Sequence, residues 1–304
     1  LFFYQRVIIN THTNQQYFTK EDKLMANLTI GGIDCTQLAA VSGTPLLVYD
    51  EAKIEEQFAA AIDNFKSDQF ETEVVYASKA FSCKAIFKIA QEKGACLDVV
   101  SGGEMYCAEA AGFDMKNVYF HGNNKSEEEL RQALETGCGH IVLDNAMECE
   151  RLVQLSDELG KGIEVLLRVN PGIEAHTHEY IQTSGSDSKF GLSIKEEEAI
   201  NNIVKTAMGS KHVQFKGFHC HIGSQITETE GFEKAVEIMV AFVKKMEVEY
   251  GIPSQDLSIG GGFGIRYIES DDPVPYDEYI KHVSEVVKET ATKRGLNIPF
   301  ILME

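Results

Sequence analysis

The sequence predicts an α/β fold, a (β/α)8 TIM-type barrel preceded by residues of a second β-domain. Short apolar runs alternate with longer amphipathic runs from Thr44 onward, as in parallel α/β proteins. Eight helix-then-strand units fit between Glu51 and Glu304, close to the roughly 250 residues typical of such a barrel. Polar, ionisable and glycine residues stand where these strands end, which is the catalytic face of a barrel.

Nine apolar runs are strand candidates, one more than the barrel needs. We place the first, at residues 46–49, outside the barrel. The barrel strands are predicted at residues 74–78, 96–100, 118–121, 141–143, 165–169, 217–221, 257–259 and 300–303. Helices with apolar residues at helical spacing are predicted at 51–65, 83–93, 103–111, 126–135, 146–159, 195–208, 231–250 and 276–294.

These elements predict an N-terminal segment, residues 1–50, that contributes to a β-domain, and a barrel at residues 51–304. A doubly wound open sheet is the alternative, but it would need a glycine-rich turn after its first strand. The last predicted strand runs into Glu304 without a cap or turn. We therefore expect a fragment from which a C-terminal β-domain is absent.

The charge of the chain limits its partners. Acidic residues outnumber basic ones by 47 to 28, giving a net charge of −19. Such a surface repels phosphate backbones and anionic lipid, so we expect neither nucleic acid nor a membrane as partner. An anionic small ligand would need local donors to bind. The seven cysteines are odd in number and form no C-x-x-C pair, which favours a reducing, cytoplasmic location.

Lys79 ends the VVYASK run, so its ammonium is predicted to project into the barrel mouth. A lysine at a strand end is often only a side chain that reaches out to solvent. Partial desolvation would instead make its amine a nucleophile suited to Schiff-base chemistry. The choice between these two readings depends on the surrounding residues.

The run Gly260-Gly261-Gly262-Phe263-Gly264 follows a predicted strand and could present several backbone N–H groups to a phosphate. An ordinary turn is the alternative. His219 and His221 alternate along a strand and face the same way. A metal pair is an alternative, but the sequence shows no evident third ligand, since His176 and His178 lie on a distant loop. An imidazole stacked on an aromatic cofactor fits better. The long loop 170–191 is either a functional lid or a disordered segment, and its length favours a function.

Together the motifs resemble the alanine-racemase-like, fold-type III decarboxylases that use pyridoxal 5′-phosphate (PLP). They occur in the order of that family and cover the chain from about Thr44 to its end. The motifs are YASKAF from Tyr76, LDVVSGGE from Leu97, HGNNKS from His121, RVNPGIEAHTH from Arg168 with YIQT and DSKFG after it, HCHIGSQI from His219, GGGFGIRY from Gly260 and ILME from Ile301.

The resemblance implies a role for each matching residue. Lys79 would hold PLP as a Schiff base, and His221 would stack on the pyridine ring. Glu304 would face the pyridine nitrogen and keep it protonated, so that the ring can accept the electron pair released with CO₂. The remaining implied cofactor-binding residues are Gly260, Gly261 and Gly262 for the phosphate, Ser224 beside it, and Asp98 and Arg168 in support.

The activity implied by the resemblance is decarboxylation of meso-diaminopimelate at its D-configured end, which yields L-lysine. The family also implies a homodimer whose subunits share active sites. Rival hypotheses are a decarboxylase of arginine, ornithine or carboxynorspermidine, a racemase, a non-catalytic PLP-binding regulatory protein and a metal-dependent hydrolase. In the family, Glu304 would begin an E-P-G-R segment, followed by a β-domain that brings a cysteine, acidic and tyrosine residues into the active site of the partner subunit. We therefore expect this chain alone to bind PLP weakly and turn over little.

Overall fold

A computed structural model describes residues 5–9, 27–173, 189–269 and 271–304 of the 304-residue chain. The chain divides into two compact units, Leu1–Ala60 and Ala61–Glu304. The sequence places the division after residue 50 instead, and the assignment of the first 50 residues to a β-domain stays a prediction. In the described part of the chain, no helix is long and apolar enough to cross a membrane.

The first unit contains two small sheets and a short helix. Its elements are β1 (Gln5–Ile9), β2 (Thr29–Ile30), β3 (Ile33–Asp34), α1 (Cys35–Ser42) and β4 (Leu46–Asp50), followed by the start of α2 (Glu51–Asn64). Strand β1 pairs in parallel with β4, whereas β2 and β3 form an antiparallel pair. The strand that the sequence set aside from the barrel therefore lies outside it, as predicted.

The second unit is a closed barrel of eight parallel strands, which confirms the predicted fold class. Each strand pairs with the next along the chain, and the last pairs with the first to close the ring. The barrel strands are β5 (Glu71–Ala77), β6 (Cys96–Val99), β7 (Val118–Phe120), β8 (His140–Leu143), β9 (Ile163–Asn170), β11 (Val213–His219), β12 (Asp256–Ser258) and β13 (Phe300–Met303). An additional short strand, β10 (Leu192–Ser193), pairs with β9.

Helices connect the barrel strands. They are α3 (Lys84–Lys93), α4 (Gly102–Ala111), α5 (Glu127–Thr136), α6 (Ala146–Leu159), α7 (Glu197–Gly209), α8 (Glu230–Tyr250) and α9 (Tyr276–Arg294). With α2 they confirm the eight helices predicted from apolar spacing. Helix α5 illustrates why they start where they do. Ser126 and Glu129 form a reciprocal capping box, which satisfies two N–H groups that a helix start leaves unpaired.

Side chains inside the barrel form layers because residues two apart in a strand point the same way. The middle layer is a buried, mainly apolar cluster with one residue from each of six strands: Val75, Cys96, Tyr119, Val142, Leu166 and Leu302. Two residues further along the same strands stand Ala77, Asp98, His121, Asp144, Arg168 and Glu304. The alternation therefore places an ionisable ring at the C-terminal mouth of the barrel, directly above an apolar layer.

Candidate functional site

The centre of the mouth is Glu304, which follows β13. Its backbone N–H donates to Gly260 O (2.9 Å), which holds the strand end against the β12 loop. One carboxylate oxygen, Oε1, lies 2.7 Å from His219 Nε2 and 3.5 Å from His121 Nε2. All three side chains are almost completely buried. Three strands thus bring two imidazoles onto one carboxylate.

The charges of this cluster follow from its burial and hydrogen bonding. Burial alone would raise the pKa of Glu304, but His219 and His121 beside it hold that pKa well below its ordinary value. Burial lowers the pKa of His219 and of His121, although Glu304 opposes this in both cases. A neutral imidazole that donates Nε2–H to an ionised carboxylate is consistent with these directions. Glu304 is therefore a fixed negative charge at the mouth.

Asp98 is the second carboxyl group of the mouth. Its Oδ1 is buried, has no hydrogen-bond partner among the described residues, and lies 3.9 Å from His121 Nε2. Burial raises the pKa of Asp98 well above its ordinary value, and the charge of Glu304 adds to the shift. The two carboxyl groups therefore differ in their affinity for a proton, as at many sites of acid–base chemistry.

His221 lies between Glu304 and the glycine-rich loop. Its Nδ1 accepts the N–H of Gly261 (3.3 Å) and is 3.8 Å from Glu304 Oε2. Burial lowers the pKa of His221 to about 3, so the imidazole is neutral at physiological pH. Cys220 is buried and its N–H donates to Ser258 O (3.0 Å), which continues the β11–β12 pairing past His219. His219 and His221 both approach the Glu304 carboxylate, because residues two apart along a strand face the same way.

The three predicted phosphate-binding glycines are packed tightly against neighbouring backbone. A Cβ on Gly260, Gly261 or Gly262 would lie 2.4, 2.1 or 1.8 Å from a carbonyl oxygen. Gly260 and Gly262 also have φ values of +72° and +95°, which favour glycine. Ser224 is exposed and adjoins this loop, because a Cβ on Gly262 would lie 3.2 Å from the Ser224 Cα. Only glycine allows this close approach.

Lys79 lies in a single 3-10 turn directly after β5. The turn is fixed by Ser82, whose Oγ donates to Ser78 O (2.6 Å). The Lys79 side chain is exposed, and no acceptor in the described part of the chain binds its ammonium. Its charge nevertheless acts on both Asp98 and His221. The structure therefore places the Lys79 amine at the same mouth, accessible from solvent.

A second lysine near the mouth, Lys125, is in the opposite situation. Its Nζ donates to Gly122 O (2.8 Å), Val142 O (2.7 Å) and Glu148 Oε1 (2.7 Å). Its side chain is 1% exposed. Three acceptors surround the buried Lys125 nitrogen, so it is not an available nucleophile. Of these two lysines, the geometry favours Lys79 for covalent chemistry.

Arg168 stands in β9 at the rim of the same mouth. Its guanidinium lies over the Phe190 ring, 4.6 Å from the centroid. Gly191, next to Phe190, donates its N–H to Asp144 Oδ1 (2.9 Å) and has no room for a Cβ, which would lie 2.7 Å from Arg168 O. Arg168 is thus seated against the end of the predicted lid loop. Most of that loop, with His176 and His178, lies outside the described residues.

Comparison with known proteins fixes the family. The family model described as "Pyridoxal-dependent decarboxylase, pyridoxal binding domain" matches residues 51–304. The chain belongs to this family. It is 47% identical over 289 residues to the diaminopimelate decarboxylase of Bacillus subtilis (strain 168), covering 94% of this chain and 65% of the relative. It is 43% identical over 277 residues to the diaminopimelate decarboxylase of Staphylococcus aureus (strain COL), covering 91% and 64%.

A solved structure supports the same assignment to this decarboxylase family. The diaminopimelate decarboxylase from M. jannaschii in co-complex with L-lysine superimposes with a TM-score of 0.82 at 30% identity. That match covers 92% of this chain and 64% of the solved chain. The chain therefore spans about two thirds of the length of the relatives that it matches.

The mouth of this pyridoxal-dependent decarboxylase barrel has the donor set that a pyridoxal group needs. It offers an accessible amine on Lys79, an ionised carboxylate on Glu304 and a neutral imidazole on His221. Three buried polar atoms near the mouth lack a partner among the described residues: Ser78 Oγ, Asp98 Oδ1 and His219 Nδ1. Buried polar atoms normally have partners. The residues therefore fit a polar cofactor bound at this mouth.

No motif in the sequence indicates a role for His121 or a contact between His219 and Glu304. The only available signal was position, since both residues end barrel strands. Glu304 is also the third ligand that the metal hypothesis lacked, because one donor atom from each of His121, His219 and Glu304 lies within 4.8 Å of the others. The charge of Arg168 acts on all three groups and would oppose a bound cation. The expectation of no metal stays a prediction.

Proposed function

We propose that this chain is the cofactor-binding barrel of a diaminopimelate decarboxylase, which converts meso-diaminopimelate to L-lysine and CO₂. The observation that carries the proposal is that one barrel mouth holds both the accessible amine of Lys79 and the buried, ionised carboxylate of Glu304. The diaminopimelate decarboxylases of two bacteria, 43% and 47% identical to this chain, support the substrate. So does the L-lysine in the M. jannaschii structure.

PLP would be attached covalently to the Lys79 amine. When bound, PLP supplies an electron sink for the electron pair left by departing CO₂. Glu304, held ionised by its histidine contacts, would hold a proton on the pyridine nitrogen. His221 would lie against the ring face. The phosphate would lie against the glycine-rich loop, Gly260 to Gly262, where the Gly262 N–H would donate to it, and beside the Ser224 hydroxyl.

Asp98 and Arg168 would support this arrangement from neighbouring strands. The buried Asp98 carboxyl lies beside His121, and because burial raises its pKa, it would add little negative charge near Glu304. Arg168 supplies a compensating positive charge at the rim. The substrate is an amino acid, and we expect the protein to act in the cytoplasm as a homodimer, on the cysteine pattern and the family resemblance respectively.

Cofactor attachment can be tested by borohydride reduction of the PLP-loaded protein followed by peptide mapping. We expect the pyridoxyl group on Lys79 and none on Lys125, because three acceptors hold the Lys125 ammonium. The matched variants are Lys79→Arg and Lys84→Arg, of which only the first should lose the label. Labelling of Lys125 in the wild-type protein would contradict the assignment.

Substrate choice is tested by CO₂ release from meso-diaminopimelate, arginine, ornithine and carboxynorspermidine. We expect release from meso-diaminopimelate and little from the other three. Preferential release from another amino acid would replace the proposed substrate and leave the cofactor site intact. Labelling of Lys79 without any CO₂ release, from a protein that includes the whole decarboxylase length, would favour the non-catalytic hypothesis.

A further inference from the structure

Gln225 has an unusual backbone conformation. Its φ is +57°, and among the described residues it alone combines a positive φ with a side chain larger than glycine's. Residues other than glycine seldom adopt this left-handed region, and such conformations persist only where the surrounding structure enforces them. The contacts of Gln225 therefore need an explanation beyond the folding of a surface loop.

The side chain of Gln225 binds both backbone polar groups of Ile265. Its Nε2 donates to Ile265 O (2.5 Å), and its Oε1 accepts the N–H of Ile265 (3.2 Å). The next residue, Ile226, pairs through its own backbone: its N–H donates to Gly262 O (2.9 Å), and its O accepts the N–H of Gly264 (2.7 Å). The side-chain amide of Gln225 therefore lengthens, by one residue, the short parallel pairing that Ile226 makes with the other loop.

These four hydrogen bonds join the two loops that the phosphate site requires. One loop follows β11 and carries Ser224, and the other follows β12 and carries Gly262. The N–H groups of Gly260 and Gly261 already have acceptors, Ser258 Oγ (3.4 Å) and His221 Nδ1 (3.3 Å). The N–H of Gly262 has no acceptor in the described part of the chain. The four hydrogen bonds therefore hold the Gly262 N–H beside the exposed Ser224 hydroxyl.

We propose that Gln225 is a positioning residue for the phosphate of the cofactor. Its side-chain amide locks the loop after β11 onto the glycine-rich loop, so that the Gly262 N–H and the Ser224 hydroxyl converge on one anion. Donors that are fixed before binding lose less conformational freedom when the anion arrives. The inference rests on the proposed function only in requiring that PLP binds at this mouth.

The proposal distinguishes phosphate binding from general stability of the site. If Gln225 acts on the phosphate, its loss weakens the binding of PLP and leaves the binding of pyridoxal, the same aldehyde without a phosphate, unchanged. If Gln225 only stabilises the barrel mouth, both ligands lose affinity together. The ratio of the two dissociation constants is therefore the informative quantity.

Two variants disrupt the hydrogen bonds between the Gln225 side chain and Ile265 in different ways. Gln225→Glu keeps the length of the side chain but places a carboxylate against Ile265 O. Gln225→Gly removes the amide and suits the left-handed backbone. Gln214→Glu is the matched control, since Gln214 is exposed in β11. Dissociation constants for PLP and pyridoxal are measured by absorbance titration, with thermal unfolding to check that each variant folds.

We expect the dissociation constant for PLP to rise about tenfold in both Gln225 variants, the effect of losing roughly 1.4 kcal/mol of binding energy. The constant for pyridoxal should stay within about twofold, and Gln214→Glu should match the wild type. Unchanged PLP binding in both folded variants, or equal weakening for pyridoxal, overturns the inference while the proposed function stands. A wild-type protein that binds neither ligand overturns both.

Discussion

Two lysines near the barrel mouth show how one residue type is directed to different chemistry. Lys79 is exposed at the end of β5, whereas the Lys125 ammonium is buried against Glu148 and two carbonyl oxygens. The second carboxylate oxygen of Glu148 accepts the N–H of Asp144 (3.1 Å). The Lys125–Glu148 pair therefore links the loop before α5 to the loop before α6.

Replacement of Lys125 by methionine should destabilise the protein by about 3–5 kcal/mol. The methionine fills a similar volume, but it leaves the buried Glu148 carboxylate without its counter-charge. The measurement is urea unfolding at neutral pH. The matched control is Lys244→Met, because Lys244 pairs with Glu247 on the surface of α8, and exposed pairs contribute about 0–1 kcal/mol. Equal effects of the two variants would show that the buried pair is not important for stability.

At the residue scale, the sequence predicts groups that stand alone and misses those defined by partners. The positions of Lys79 and Glu304 at the mouth are predictable because each follows a barrel strand of known direction. The hydrogen bond from His219 to Glu304 joins residues 85 positions apart, on strands that become close only when the barrel closes. Lys125 looks like a solvated loop lysine until the fold brings Glu148 to it. Such pairs depend on tertiary contacts that no local pattern encodes.

At the element scale, the strand cores are predictable and so are several strand starts, such as those of β6 and β7 at residues 96 and 118, whereas β5 and β11 start earlier than predicted. All eight barrel strands were found from their apolar runs, but β5 begins at Glu71 rather than residue 74. The earlier start of β5 is explained by a small polar cluster inside the barrel. Glu73 accepts hydrogen bonds from Cys96 Sγ and Tyr119 Oη, both at 2.6 Å. Because these partners lie on other strands, the sequence alone shows Glu73 only as a charged residue directly before an apolar run.

A close approach between β11 and β12 yields a prediction at the element scale. Gly217 of β11 lies opposite Asp256 of β12, and a Cβ on it would be 1.8 Å from Asp256 O. Gly217→Ala must push the strands apart and should destabilise the protein by about 3 kcal/mol, as overpacking of a core does. Chemical denaturation measures the change in the free energy of unfolding.

The control for this prediction is Gly209→Ala, at the end of α7, where a Cβ would meet nothing within 4 Å. Because alanine favours the helix, this variant should be neutral or more stable by up to about 1 kcal/mol. A Gly217→Ala protein as stable as the wild type would mean that β11 and β12 can separate at no cost, against the close register seen here.

At the scale of the whole molecule, the net charge of −19 repels the proposed anionic cofactor. The sequence predicts a local site that can bind the anion in spite of this charge, a glycine-rich loop that donates backbone N–H groups. The structure adds the positive charges of Arg168 and Lys79 at the mouth. These donors act at short range. The general field extends further at low salt, where the Debye length is about 30 Å at 0.01 M and about 8 Å at 0.15 M.

The rate of PLP association should therefore rise with salt. Between about 0.01 and 0.15 M ionic strength, screening shortens the reach of the repulsive field but leaves the donors at the mouth in place, so we expect a several-fold increase in the association rate constant. Stopped-flow absorbance measures it. Pyridoxal, which lacks the phosphate, should show little salt dependence. A rate for PLP that falls with salt would instead mean that Arg168 and Lys79 dominate the field along the approach, and that the surface charge plays no part in cofactor capture.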